Sequence, residues 1–435
     1  MLSASLPRGA GKTVALLALL YAAQGIPFGI AVEVLPVLLR EKQVTQFTLA
    51  LVGLLQIPWY AKVLWAPIVD RPLFQLRARG LLLTLQVLLA GTVLGYAIFP
   101  FHEARTLWFV LTGVAALVAA TQDLFVDALA VRTLSAEGRG AGNVAQVAGY
   151  RLGMLAGGGG LLWASSRLGD MLPIALLSLF ILVASGASFA VRDGFTPAEA
   201  EDLLEEARAD KGPHVPLKAL LPEVLRAGQR LPIIVAIAYK FGLHLASGLL
   251  KPMVVDAGWK RDQIGFAVVT VGTVASLLGA GLGGLMHRLF REEQALKLGA
   301  ILQTLACIPL FFLERAHAPL GPTTLAFALE HGASAAGTTI LFAALMTATR
   351  KDAAGGHYTL LVSGNALGIG VAGLLGGLAA DHVGRGPVFV VAALGAAVPI
   401  VLLGGWSEEA RRSAGTAAVP GGRAAEAVAS TDDPR

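Results

Sequence analysis

Gly149-Tyr-Arg-Leu-Gly-Met-Leu-Ala-Gly157 places a glycine at every fourth position of an otherwise apolar run and buries one arginine in the middle of it. Residues four apart share a helix face, so the glycines form a smooth stripe on which a neighbouring backbone can close. Arg151 stands some nine residues into that run, too deep to snorkel easily, and needs a wet cavity or a carboxylate partner. A shift of 215 positions lays Gly140, Gly149 and Gly153 on Gly355, Gly364 and Gly368, and the row Gly149, Gly153, Gly157 on Gly364, Gly368, Ala372. A duplicated bundle is one reading of this match; chance similarity between glycine-rich membrane helices is the other.

Composition supports the membrane. The 435 residues are 55% apolar and only 14% charged, with a mean hydropathy of +0.68, whereas a soluble domain carries about 25% charge. The net charge of +5 makes nucleic-acid binding a poor reading, and the single cysteine, Cys307, permits no internal disulfide. Arg8 and Lys12 precede an apolar run reaching Leu39. That is longer than a signal-peptide core of roughly 7–15 residues, so it reads as an uncleaved first span.

Apolar stretches fall near 13–39, 46–69, 80–100, 106–131, 142–165, 171–190, 232–255, 263–286, 296–313, 320–349, 357–380 and 386–406. They predict an all-α membrane protein of 12 transmembrane helices. Residues 1–192 form an N-terminal six-helix bundle, 193–231 a cytoplasmic central loop with a short amphipathic helix, 232–406 a C-terminal bundle, and 407–435 a disordered cytoplasmic tail. Counting Lys and Arg near the span ends puts 22 on the side of the termini and 8 on the other, so both termini are expected in the cytoplasm. Lys62, Arg151, Lys240 and Lys251 are left inside spans.

Ionisable groups inside hydrocarbon usually line a cavity or pair with one another, which makes them site candidates. Asp123 and Asp127 lie one turn apart on span four, followed by Arg132. Either can carry a proton, or Asp127 and Arg132 can form a structural latch at the cytoplasmic mouth. Glu330 and His331 sit midway along span ten; as a proton carrier Glu330 would share its proton with His331, and as a structural group it would be locked to Lys240. Glu33, near the outer end of span one, reads as an interface residue. Lys62 can snorkel from span two to the interface. Arg151 and Lys240 would attract an anionic solute. Tyr150, Gln24, Gln122, Gln146, Tyr239, Tyr358 and Asn365 offer uncharged hydrogen bonding to a substrate, or simply hold helices together. Gly9-Ala-Gly-Lys-Thr13 imitates the end of a phosphate-binding loop, but Leu6 stands where the leading glycine is required and no strand precedes it. No zinc-ligand spacing and no G-x-S-x-G elbow occur, so no metal or cofactor is implied.

Longer strings carry a resemblance. Tyr60-Ala-Lys-Val-Leu-Trp-Ala-Pro-Ile-Val-Asp-Arg71, Gln122-Asp-Leu-Phe-Val-Asp127 and Gln146-Val-Ala-Gly-Tyr-Arg-Leu-Gly-Met154 resemble patterns of the AmpG-type muropeptide permease branch of the major facilitator superfamily. The resemblance spans most of residues 15–380. It implies two six-helix bundles with substrate at the midplane, and it places Lys62, Asp70, Asp123, Asp127, Arg151 and Glu330 in a shared polar set; apart from the resemblance, Lys62, Asp70, Arg71 and Arg132 are expected to act as a cytoplasmic gate or structural cluster. Leu35-Pro-Val-Leu-Leu-Arg40, Asp127-Ala-Leu-Ala-Val-Arg132, Leu250-Lys-Pro-Met-Val-Val-Asp256, Leu329-Glu-His331 and Tyr358-Thr-Leu360 look more like siderophore permeases of the rhizobactin and pyochelin type. Acetyl-CoA transporters share parts of the pattern. Span eleven departs from the muropeptide branch at Gly364-Asn-Ala-Leu-Gly368, and the carboxylates are unequally placed, since the 215-residue shift lays Asp123 on Thr338 and Glu330 on Ala115.

The expectation is therefore a proton-coupled secondary transporter of a bacterial inner membrane, working as a monomer among lipids and importing a siderophore or muropeptide-like solute. An intramembrane enzyme lacks nucleophile or metal-ligand spacing, and a non-transporting sensor or scaffold is the remaining class.

Overall fold

A computed structural model describes residues 10–65, 69, 77–133, 139–186, 230–348 and 354–406. Among them every element is helical, and twelve rods can be followed. They are α1 (Gly11–Glu41), α2 (residues 46–64, with 3-10 stretches at Val52–Gln56 and Lys62–Leu64), α3 (Ala78–Ile98), α4 (Arg105–Thr133), α5 (residues 139–168), α6 (Met171–Ser185), α7 (Arg230–Asp256), α8 (Arg261–Leu289), α9 (Glu292–Arg315), α10 (Leu320–Thr347), α11 (Ala354–Val383) and α12 (Arg385–Leu402). Eight, namely α1, α3, α4, α7, α8, α9, α11 and α12, are long and apolar enough to cross a membrane, while α2 and α6 are shorter apolar helices. The remaining two, α5 and α10, are the ones that carry Arg151 and the Glu330-His331 pair. Charge, glycine and hydroxyl residues lower their hydropathy, and a site inside a bilayer has that same cost. The central loop expected at 193–231, apart from the start of α7 at Arg230, and the tail at 407–435 lie outside the described residues. Val183, Leu278 and Val401 are each at least 70% exposed on their helices, an arrangement suited to lipid and hostile to water.

The glycine stripe performs as its spacing predicts. A Cβ at Gly149 would lie 2.4 Å from the Ala18 carbonyl oxygen, and one at Gly153 would lie 2.0 Å from that of Ala22, so α1 lies on α5 with backbones almost touching. In the second bundle a Cβ at Gly368 would lie 2.1 Å from the Ile237 carbonyl oxygen, and one at Gly364 would strike the Ile233 side chain, which puts α7 on α11. Ala18 and Ile233, like Ala22 and Ile237, are separated by the same 215 positions as the glycines they receive. Helix pairs α3 with α6 and α9 with α12 also correspond, so the repeat extends beyond the stripe.

The first six and last six helices meet mainly at one end, the end where each odd helix turns into the next even one. There Gly159 of α5 and Gly265 of α8 cross with Cβ positions 2.6–2.7 Å from each other's carbonyl oxygens. Both glycines lie in π-helical turns, Ala156–Gly160 and Gly265–Val271, and a third such turn, Ile30–Val34 of α1, packs beside them. A π turn inserts an extra residue and shifts the register of the helix by part of a turn, which lets the helices change partners here.

Candidate functional site

Between the bundles lies a cavity of about 350 Å³ lined by Arg151 of α5, by Lys240, His244, Ser247 and Lys251 of α7, by Val268, Ser276 and Ala280 of α8, and by Glu330, His331, Ser334, Thr338 and Thr339 of α10. The repeat explains why it opens on this side. Under the 215-residue shift Lys240 and His244 correspond to Gly25 and Gly29, whose missing side chains let α1 seat on α5; a Cβ at Gly25 would lie 2.2 Å from the Tyr150 carbonyl oxygen. Side chains as large as lysine and histidine cannot enter such a seam. Helix α7 instead breaks at Tyr239 and Lys240, and the side chains of Lys240 and His244 line the cavity.

Glu330 is 3% exposed. Its Oε1 accepts the Ser247 hydroxyl at 2.5 Å, and its Oε2 lies 2.8 Å from His331 Nδ1. His331 Nδ1 is also 3.0 Å from the Phe327 carbonyl oxygen. With two acceptors against it, Nδ1 must carry hydrogen, and Nε2 is left to take a second proton. The lock to Lys240 weighed from the sequence is replaced: Lys240 donates to Thr338 Oγ1 at 2.7 Å, and Glu330 pairs with its own neighbour. Thr338 is the repeat partner of Asp123, so an equivalent position holds a lysine in each bundle, through a hydroxyl in one and a carboxylate in the other.

A second cluster is confined to the first bundle. Lys62 of α2 donates to Asp123 of α4, so Lys62 is an ion-pair partner instead of a residue snorkelling to the interface. Asp127 accepts from the Tyr21 hydroxyl at 2.8 Å and from Gln146 Nε2 at 2.9 Å. Of two carboxylates one turn apart, the first thus holds a lysine and the second accepts from two neutral donors. The latch between Asp127 and Arg132 cannot be followed, because the Arg132 side chain, like that of Tyr358, and the whole of Asp70 and Arg71, lie outside the described residues.

Other candidates separate. Tyr239 is buried and donates to the Leu296 carbonyl oxygen at 2.8 Å, which makes it a helix tie within the second bundle and removes it from the cavity wall. Tyr150 packs with Phe28 and Trp59 at ring separations of 5.7 and 5.6 Å. Gln24 and Gln122 are wholly buried, with neither amide atom hydrogen-bonded, and Asn365 leaves its Oδ1 so. Glu33, expected at an interface, forms an ion pair with Lys251 at 3.0 Å across the bundles. Sequence reasoning missed Ser247, Thr338 and this pairing. A membrane serine or threonine gives no signal, and Lys251 is visible in the sequence only as a surplus charge.

A seam of ion pairs joins helices of the two bundles at the far end, where each odd helix turns into the next even one. Arg40 of α1 meets Asp256 of α7, which also binds Arg385, and Arg385 continues to Glu314. Arg261 of α8 meets both Glu41 and Asp170. The Asp381 carboxylate of α11 accepts the backbone N–H groups of Gln46 and Phe47, each at 2.8 Å, and so caps α2 from the other bundle.

A chain of two helical bundles related by a repeat, with a charged cavity between them, has the fold of the major facilitator type. Solved structures agree. The D-xylose-proton symporter aligns with a TM-score of 0.69 over 92% of this chain and 98% of that one at 14% identity, and the POT family transporter PepTSo with a TM-score of 0.65 over 94% and 99% at 11% identity. In sequence the chain is related to the anhydromuropeptide permease of Escherichia coli (strain K12), 28% identical over 396 residues, covering 89% of this chain and 78% of that protein. A family model described as "Acetyl-coenzyme A transporter 1" matches residues 13–98. These relatives and neighbours are named as permeases and transporters, in keeping with a multi-pass membrane protein.

Proposed function

We propose that this protein is a proton-coupled secondary transporter that imports a mid-sized anionic solute across a bacterial inner membrane by alternating access. The observation that carries the reading is the cavity walled by ionisable groups from both bundles, Arg151 on one side and Lys240, Lys251, Glu330 and His331 on the other. Its cations outnumber its one carboxylate, which favours an anion. With the termini in the cytoplasm, as the distribution of Lys and Arg favours, the ion-paired seam faces outward, and the cavity stands closed to the outside. Glu330 and His331 are the leading proton carriers, with Asp123 and Asp127 as a second pair. The relationship to an anhydromuropeptide permease favours a muropeptide-like cargo over a siderophore.

The test is uptake into proteoliposomes under an imposed pH gradient, with labelled anhydromuropeptide and a ferric siderophore offered separately. Accumulation of the first, lost in Glu330→Gln and in Asp123→Asn, supports the reading. Uphill transport surviving in both variants removes the coupling assignment, and siderophore uptake alone changes the cargo. No uptake of either points to a sensor, and chemical change of the solute points to an enzyme.

A further inference from the structure

Lys251 belongs to two structures at once. It lines the cavity with Glu330 and His331, and it crosses the bundles to the π turn of α1, where its Nζ lies 3.0 Å from Glu33 Oε2 and donates to the Val32 carbonyl oxygen at 3.0 Å. The sequence of α1 prepares this landing place. Pro36 is four residues beyond Val32 and has no N–H to give, so the Val32 carbonyl loses its ordinary helical donor and can accept one from outside. Gly158 of α5 clears the path: a Cβ there would lie 2.9 Å from Glu33 Cγ. His331, for its part, packs over Gly272, directly after the π turn of α8, and lines the same cavity as Lys251.

We infer that Lys251 couples the charge state of the Glu330-His331 pair to closure of the far-end seam: its bridge to Glu33 and Val32 holds the cavity roof shut, and a change of charge on the pair alters how strongly Lys251 is drawn to that bridge. The inference rests on the alternating-access reading above. The charged and titratable groups facing this point are Glu33 from α1, Arg151 from α5, Lys240 and His244 from α7, and Glu330 and His331 from α10; α8 contributes Val268, Ser276 and Ala280, which do not titrate. Lys251 is paired with Glu33 on one side and shares the cavity wall with Glu330 and His331 on the other. Adding a proton to the pair removes negative charge from the cavity side and leaves Lys251 to Glu33.

The test uses a single-cysteine reporter, Val268→Cys in a Cys307→Ala background, labelled in proteoliposomes by a membrane-impermeant maleimide from the far side. Val268 is 1% exposed and lines the cavity near its roof. The expected result is far-side labelling that changes with pH in the parent, about tenfold faster and pH-independent in Lys251→Met and in Glu33→Gln. Lys251→Arg should restore slow labelling, which a merely misfolded variant would not do. In Glu330→Gln the pH response should vanish while the slow rate stays. Parental rate and pH response in Lys251→Met would overturn the inference and leave alternating access standing, whereas absence of far-side labelling in every variant at every pH would overturn both.

Discussion

Asp256 of α7 holds Arg40 of α1 with both carboxylate oxygens, Oδ1 to Nε at 2.7 Å and Oδ2 to Nη2 at 2.5 Å. Arg385 steadies the same carboxylate from within its own bundle at 2.5 Å. The fork geometry makes this contact between the bundles directional as well as electrostatic. Asp256→Asn should weaken the seam by about 1.5–3 kcal/mol, in the range for hydrogen bonds to charged groups. Spin labels at Lys42→Cys and Lys260→Cys, on the far-end turns of the two bundles, should then show a longer or broader distance distribution. An unchanged distribution would remove this pair from the closure.

Backbone contact between α1 and α5 leaves no room for a side chain at Gly153. Gly153→Leu should cost more than about 3 kcal/mol, since overlap with a main-chain oxygen cannot be relieved by a rotamer change. Gly91, where an added methyl would meet no atom within 4 Å, is the control; Gly91→Ala should be neutral or stabilising by up to about 1 kcal/mol. Thermal unfolding in detergent, followed by gel filtration, separates the two.

The Lys62 contact with Asp123 joins a partly exposed lysine to a carboxylate that is 8% exposed. Lys62→Met should destabilise by about 3–5 kcal/mol, because it strands a buried charge, and Lys62→Met/Asp123→Asn should recover most of that loss. Gradient-driven uptake should stay lost in the double variant. Full recovery of uptake along with stability would show that the pair is structural only.

Tyr239→Phe removes the bond to the Leu296 carbonyl oxygen and nothing that faces the cavity. Melting should report about 1 kcal/mol lost, with the kinetics of uptake unaltered. A raised KM would return Tyr239 to the substrate path.

Much of the architecture is legible in the sequence because its signals are local. The helical rods begin and end close to the apolar stretches, with α10 spanning Leu320–Thr347 where the pattern predicts 320–349 and α6 ending at Ser185 where it predicts 190. The stripe at Gly149 and Gly153 is readable because the spacing of four is a property of one helix. The second span is less so: the 3-10 turns at Val52–Gln56 and Lys62–Leu64 interrupt it, and residues 66–68, short of the predicted end at 69, lie outside the described residues.

Partner choice is not readable. Glu330 and Lys240 both stand out as buried charges, yet the first goes to His331 and Ser247 and the second to Thr338. Tyr239 and Lys240 are adjacent and together form the break in α7, yet one is tied to Leu296 in the bundle core while the other lines the cavity.

Hydropathy and residue spacing act along a single segment, and for that reason the amino-acid order alone indicates that the chain lives in lipid, where its helices run, and which few charges have to be explained; that its halves repeat is decided by the matching contacts of the two bundles. The order leaves open which of those charges meet, at which end the bundles close, and that Lys251 reaches the carbonyl left bare by Pro36. Those outcomes belong to the packed molecule, since the rotation and depth of one helix against another depend on every contact along both.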